Sequence, residues 1–252
     1  MTGGAHFVLF LHGLGATGAV WGRVEALLAA RGDGRCLAPD LRGHGAAPWA
    51  TGYSVGAAAA DLAPAVAGEQ ALYVVGHSFG GYVALALASG WFGARVRAVL
   101  TIGTKLSFSD EERHRAAELA RRPARIFTTY EEAIERYRKV SGLDAGLAPG
   151  DGLLARGAVR DGGGFRLAAD PATLGVVVPP FTALLAAAAC PVLACRGEHD
   201  PLVSGAELRR AVPGAVDLAG LGHNPHVEAP QALVALIDDL LAMPQRAATT
   251  GD

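Results

Sequence analysis

The chain has almost no net charge: 22 Lys and Arg stand against 24 Asp and Glu, a balance of −2 at neutral pH. That composition supplies neither a basic stripe for nucleic acid nor a polybasic patch for an anionic membrane, so a small molecule is the partner it predicts. Long hydrophobic runs are missing too. The first apolar stretch is about six residues long, has no basic segment ahead of it and meets His12 and Gly13 at once, too short for a signal peptide or a membrane span. Cysteine is scarce, and Cys36, Cys190 and Cys195 lie in or beside strand-like runs without the close pairing of a zinc site. They read as buried free thiols in a reducing cytoplasm. Repeats and charge blocks are absent, and only the tail 244–252, "PQRAATTGD" after Met243, has the composition of a flexible end.

What the chain does have is apolar material, 51% of residues, enough for a substantial core. It is dealt out in a rhythm. Short apolar runs at 6–11, 36–39, 72–75, 98–102, 191–195 and 215–219 alternate with helical patterns near 18–30, 55–67, 79–89, 204–211 and 228–242. Near-continuous apolar strands separated by helices predict an α/β fold, a mainly parallel, doubly wound sheet with right-handed crossovers. In such sheets chemistry collects in the loops at the carboxyl ends of the strands.

The rhythm breaks over residues 105–182. Ser109 with Glu112, and Thr129 with Glu132, have capping-box spacing and open two charged amphipathic helices, the second stopping at Gly142. The stretch 142–180 is rich in Gly, Pro and Asp. A helical cap inserted between two parts of one core, 1–104 and 183–243, is the domain plan these features predict.

The pattern Gly-x-Ser-x-Gly occurs twice, as "GYSVG" (Gly52 to Gly56) and "GHSFG" (Gly76 to Gly80). Ser54 precedes an alanine-rich helix and follows nothing strand-like, so it reads as an N-cap. Ser78 follows a strand and opens a helix, where a sharp, crowded turn needs small residues on either side. A serine hydroxyl is a weak nucleophile without a base, and the base needs a carboxylate to hold its tautomer. Asp200 in "ACRGEHDPLV" and His223 in "LAGLGHNPHVEAP" stand just beyond two later strands and complete the order Ser, Asp, His. Backbone N–H groups of Phe79, at a helix start, and Leu14, past the first strand, are the expected oxyanion donors. His12 reads as a turn-fixing residue.

With "HGLG" (12–15), "DLRGHG" (40–45), "GHSFGG" (76–81), "GEHDPLV" (197–203) and "GHNPHVEAP" (222–230) on view, the chain resembles the alpha/beta-hydrolase-fold serine hydrolases that carry a lid. The resemblance spans nearly the whole core and implies the same roles for Ser78, Asp200, His223, Leu14 and Phe79. It departs from the commonest form by starting at "HFVLFL", without the two strands that usually come first. In the family, Asp40, Arg42 and His44 mostly order a loop. The family pattern also favours Asp200 over Glu198 as the acid, while His199 reads as exposed. Among aromatic and neighbouring side chains, Tyr130, Tyr137, Phe181 and His226 are the expected substrate contacts, with core or cap packing the default for the rest.

The expected activity is acyl-enzyme hydrolysis of a carboxylic ester, thioester or lactone with an apolar part, without metal or organic cofactor. Other readings stand beside it: carbon–carbon bond hydrolysis of a diketone-type substrate, for which Asn224 replaces the family's usual aromatic residue after the histidine; a lyase or cyclase using the triad as acid and base; and a non-catalytic binding module. An Ala- and Arg-rich composition points to a bacterium with a GC-rich genome, and oligomeric state is left open.

Overall fold

Six apolar runs lie side by side as one parallel sheet. They are β1 (Phe7–Leu11), β2 (Arg35–Leu37), β3 (Leu72–His77), β4 (Val96–Ile102), β7 (Val192–Gly197) and β8 (Val216–Leu218), in the order β2-β1-β3-β4-β7-β8. This computed structural model describes residues 6–32 and 34–243, so the expected tail 244–252 lies outside the described residues. The hydrophobic continuity of the strands follows from burial on both faces. Along β1, Phe7, Leu9 and Leu11 join one core layer while Val8 and Phe10 join the other.

The first layer is closed by α2 (Val55–Leu62), α3 (Phe79–Ala88), α6 (Phe181–Ala187) and α7 (Gly205–Ala211), the second by α1 (Gly22–Arg31) and α9 (Pro230–Leu241). All ten residues of α3, "FGGYVALALA", are buried, which its lack of a polar face requires. The helix expected over 228–242 is α9, and a separate short helix, α8 (Pro225–Glu228), runs just ahead of it. Pro230 disfavours helical backbone at the residue before it, and Ala229 sits at φ −146°, ψ 71°. Among the described residues no helix is long and apolar enough to cross a membrane.

Between β4 and β7 lie α4 (Asp110–Ala120), α5 (Tyr130–Val140), three short 3-10 turns and the antiparallel hairpin β5 (Ala158–Asp161) and β6 (Gly164–Leu167). Ser109 and Glu112 form the full reciprocal cap of α4, a helix with no buried residue. Thr129 accepts from the Glu132 N–H at 3.2 Å, but the Glu132 carboxylate takes the N–H of Thr128 instead of Thr129, so only half of the expected box forms. Ala133, Ile134 and Tyr137 of α5 are buried in the second core layer. At the return to the sheet, α6 runs across 182 and 183, with Phe181 edge-on to Tyr82.

Candidate active site

Ser78 stands between the last residue of β3 and the first of α3 at φ 51°, ψ −115°, and among the described residues it is the one non-glycine with positive φ. Backbone held there costs on the order of 1–3 kcal/mol and persists only where its surroundings impose it. The imposition is visible. The Ser78 N–H donates to the Ile102 carbonyl at 2.8 Å, and the Thr104 hydroxyl donates to the Ser78 carbonyl at 3.2 Å. A Cβ on Gly76 would lie 2.3 Å from the Gly80 oxygen, and one on Gly80 would lie 2.3 Å from the Leu11 oxygen. Strand, turn and helix meet too closely for any larger residue. The Ser78 hydroxyl caps nothing.

Asp200 follows β7 and His223 follows β8, and the structure brings them together: His223 Nδ1 donates to Asp200 Oδ2 at 2.9 Å. The Asp200 side chain is fully buried, and its other oxygen accepts the Leu202 N–H at 2.8 Å. An acceptor on Nδ1 fixes the tautomer and leaves Nε2 as the proton-accepting atom. The Glu228 carboxylate holds the histidine loop from below, accepting from the N–H of Gly222 at 2.6 Å and of Asn224 at 3.0 Å. Ser78 reaches this pair through its neighbours. His77 donates from Nε2 to the His223 carbonyl at 2.8 Å, and a Cβ on Gly103 would meet Asp200 Oδ2 at 3.1 Å and His223 Nδ1 at 3.2 Å. Among the described hydrogen bonds none joins Ser78 to His223, a bond that often tightens only when substrate is present.

The loop after β1 is tied down by two histidines and an aspartate. His12 Nε2 accepts the Leu41 N–H at 2.9 Å, and His44 Nε2 accepts the Gly15 N–H at 3.0 Å. Asp40 accepts from Gly18 at 2.7 Å and Ala46 at 2.8 Å and is paired with Arg156. Arg42 is bound to Asp61 through two contacts of 2.6 Å. Burial pushes the His12 imidazole down to about 3 and lowers His44 as well, so both are neutral struts. The close approach of Gly80 to Leu11 sets this loop against the start of α3, and among the described residues neither the Leu14 nor the Phe79 N–H has a protein acceptor. Unpaired backbone donors are the groups from which an anion-stabilising site is built.

Leu14 and Phe79 also line a small pocket with Arg42, His44, Tyr53, Ser54, Ala58, Thr173 and Val176. The four side chains expected to contact substrate are placed elsewhere. Tyr137 is buried with its hydroxyl 3.5 Å from that of Thr17, and Phe181 is buried against α3. Tyr130 turns its hydroxyl to the Ala155 carbonyl at 2.7 Å, and His226 is buried between Trp21 and His77, with ring centroids 4.5 and 4.6 Å away. Desolvation lowers His226 to about 3. Glu198 is exposed and bound to the Gly220 N–H at 2.9 Å, away from the imidazole, and His199 is exposed. Sequence reasoning passed over His77, Gly103 and Thr104. Only His77 carried a signal, as the variable residue inside the serine motif.

Comparison with known proteins places this geometry. A stretch of 84 residues, 32% of the chain and 31% of the other protein, is 40% identical to the lipase LipV of Mycobacterium tuberculosis; the match thus spans about a third of that relative's length. An esterase structure from Mycobacterium tuberculosis superposes with a TM-score of 0.73 at 25% identity, covering 95% of this chain and 85% of that one. The thioesterase domain of the curacin biosynthetic pathway shares the fold at a TM-score of 0.76 and 24% identity, over 92% and 90% of the two chains. The profile of the alpha/beta hydrolase family matches residues 8–236, nearly the whole of the sheet and its helices, and the chain belongs to that family of hydrolytic enzymes.

Proposed function

We propose that the protein is a serine hydrolase that cleaves a carboxylic ester, thioester or lactone through an acyl-enzyme. The observation that carries this reading is the strained backbone of Ser78 at the junction of β3 and α3. A serine that served only as a helix cap would adopt extended backbone and accept a hydrogen bond from its own helix. Ser78 does neither, and its backbone is held at the carboxyl end of the sheet, next in the chain to His77, which donates to the His223 carbonyl.

In the proposed reaction His223 Nε2 takes the Ser78 proton as Oγ attacks the carbonyl carbon. Asp200, fully buried and bonded to Nδ1, stabilises the imidazolium that results. The N–H groups of Leu14 and Phe79 receive the carbonyl oxygen as it gains charge. His223 then returns the proton to the leaving alkoxide or thiolate, and the cycle repeats with water to release the acid. The segment 105–182 supplies Thr173 and Val176 to the small pocket beside Leu14 and Phe79, which supports its reading as a cap.

A panel of p-nitrophenyl esters of increasing acyl length tests this reading. Turnover with a burst equal to the enzyme concentration, absent in Ser78→Ala, is the expected result. An unchanged rate in Ser78→Ala contradicts it.

A further inference from the structure

Leu14 and His223 belong to loops that the sheet does not hold together. Their strands, β1 and β8, are separated by β3, β4 and β7, four strand spacings or about 19 Å in the hydrogen-bonding direction. Each loop has local braces: His12, His44 and Asp40 under the first, and Glu228 under the second. None of these spans the gap. Among the described hydrogen bonds one segment is bonded to both loops, and it comes from the insertion; His77, which donates to the His223 carbonyl and stands against Gly13, and the Trp21–His226 ring contact are further links between the two sides.

That segment is the turn that ends α5. Ser141 Oγ donates to the Gly15 carbonyl at 3.0 Å, one residue past Leu14. At the next residue the Gly142 carbonyl accepts from Asn224 Nδ2 at 2.8 Å, one residue past His223. Gly142 closes the helix in left-handed conformation, φ 63° and ψ 22°, and this turns its carbonyl toward Asn224; a Cβ there would lie 3.2 Å from Asn224 Nδ2. The turn is a rigid support. Ala133, Ile134 and Tyr137 sink α5 into the core just ahead of it, Leu143 and Leu147 are buried just after it, and the Arg138 guanidinium donates to the carbonyls of Asp144 at 3.3 Å and Leu147 at 3.2 Å.

We propose that Ser141 and Asn224 are positioning residues, which through the Ser141–Gly142 turn hold the Leu14 donor loop and the His223 loop at one fixed separation. The proposal rests on the reading of Ser78 as nucleophile. It gives the end of α5 a task at the site: the oxyanion donor and the base are set relative to each other through the inserted segment. It also gives Asn224 a role, because its amide is committed to Gly142. Either bond alone leaves the bridge open at its other end.

The test is a double-mutant cycle on the full chain with Ser141→Ala, Asn224→Ala and the pair, using p-nitrophenyl acetate for kcat and KM and a fluorophosphonate for labelling rate and stoichiometry. Each single variant is expected to lose about tenfold in kcat with KM within about twofold, since small misplacements of catalytic groups act on the chemical step. The pair is expected to lose about the same tenfold, because both substitutions cut one bridge. Labelling should slow while its stoichiometry stays at one per chain, and Ser141→Thr, which keeps the hydroxyl, should keep the rate. Losses that multiply to about a hundredfold, a change in KM alone, or a stoichiometry that falls with the rate would each overturn the proposal. If the parent chain neither labels nor turns over, the Ser78 reading fails and takes this one with it; if the parent is active and the variants match it, only the bridge fails.

Discussion

The two stretches "GYSVG" and "GHSFG" share one five-residue pattern and differ in nearly every physical respect. Ser54 has φ −150° and ψ 160°, and its side chain accepts from the Ala57 N–H at 3.0 Å to cap α2. Ser78 has φ 51° and ψ −115° and caps nothing. The flanking glycines diverge in the same way. A Cβ on Gly52 would meet nothing within 4 Å and one on Gly56 would approach only Phe92, at 3.9 Å, whereas Gly76 and Gly80 are each pressed to 2.3 Å against backbone oxygens. A pattern of residue types thus carries meaning only through what it is packed against. In one place glycine is incidental; in the other nothing else fits.

Substitutions at matched positions should pull the two stretches apart. Ser78→Ala should lower kcat for an activated ester by roughly ten-thousandfold or more, whereas Ser54→Ala should leave it within about twofold. Gly80→Ala should destabilise the fold by about 1–3 kcal/mol in urea titration and slow turnover, because its new methyl drives the start of α3 away from β1. The surroundings of Ser78 should also show in the pH dependence of stability. His226 binds its proton near 6.5 when unfolded and near 3 when folded, so between those values the unfolded chain holds more protons and stability falls as pH falls. The gap between urea midpoints at pH 7 and pH 4.5 should therefore narrow in His226→Phe, with buried His12 and His44 sustaining the rest, and an unchanged gap would contradict the assignment.

Smaller effects belong to the other stretch. Ser54→Ala removes a helix cap and should cost about 1 kcal/mol by urea titration. Gly56→Ala lies inside α2 with open space around it and should gain about 0.5–1 kcal/mol, the reverse of Gly80→Ala. Responses of opposite sign at two glycines of one motif would be the cleanest expression of the contrast.

The comparison also explains what the sequence made legible. Strand and helix order was readable because burial on both faces leaves apolar runs with breaks between them, and Asp200 and His223 because polar residues just past such runs stand out. Caps were readable as local chemistry: Ser109 and Ser54 do what their neighbours dictate. Side-chain destinations within the inserted segment were not. Tyr137 and Phe181 are aromatic residues on helices beside the site, and nothing in their own neighbourhood distinguishes a pocket wall from a core. The helices α4 and α5 are similarly charged, yet one buries no residue and the other three, a difference decided by distant partners such as the second core layer. Long-range contacts of this kind, Ser141 with Gly15 and Asn224 with Gly142 among them, leave no periodic trace in the chain.

The central claim is that strain at Ser78 marks the nucleophile. Intact-mass analysis after fluorophosphonate treatment tests it most directly, with the parent chain, Ser78→Ala and Ser54→Ala side by side. One adduct per chain in the parent and in Ser54→Ala, and none in Ser78→Ala, is the predicted result. An adduct that survives in Ser78→Ala, or a parent chain that takes up none, would contradict it.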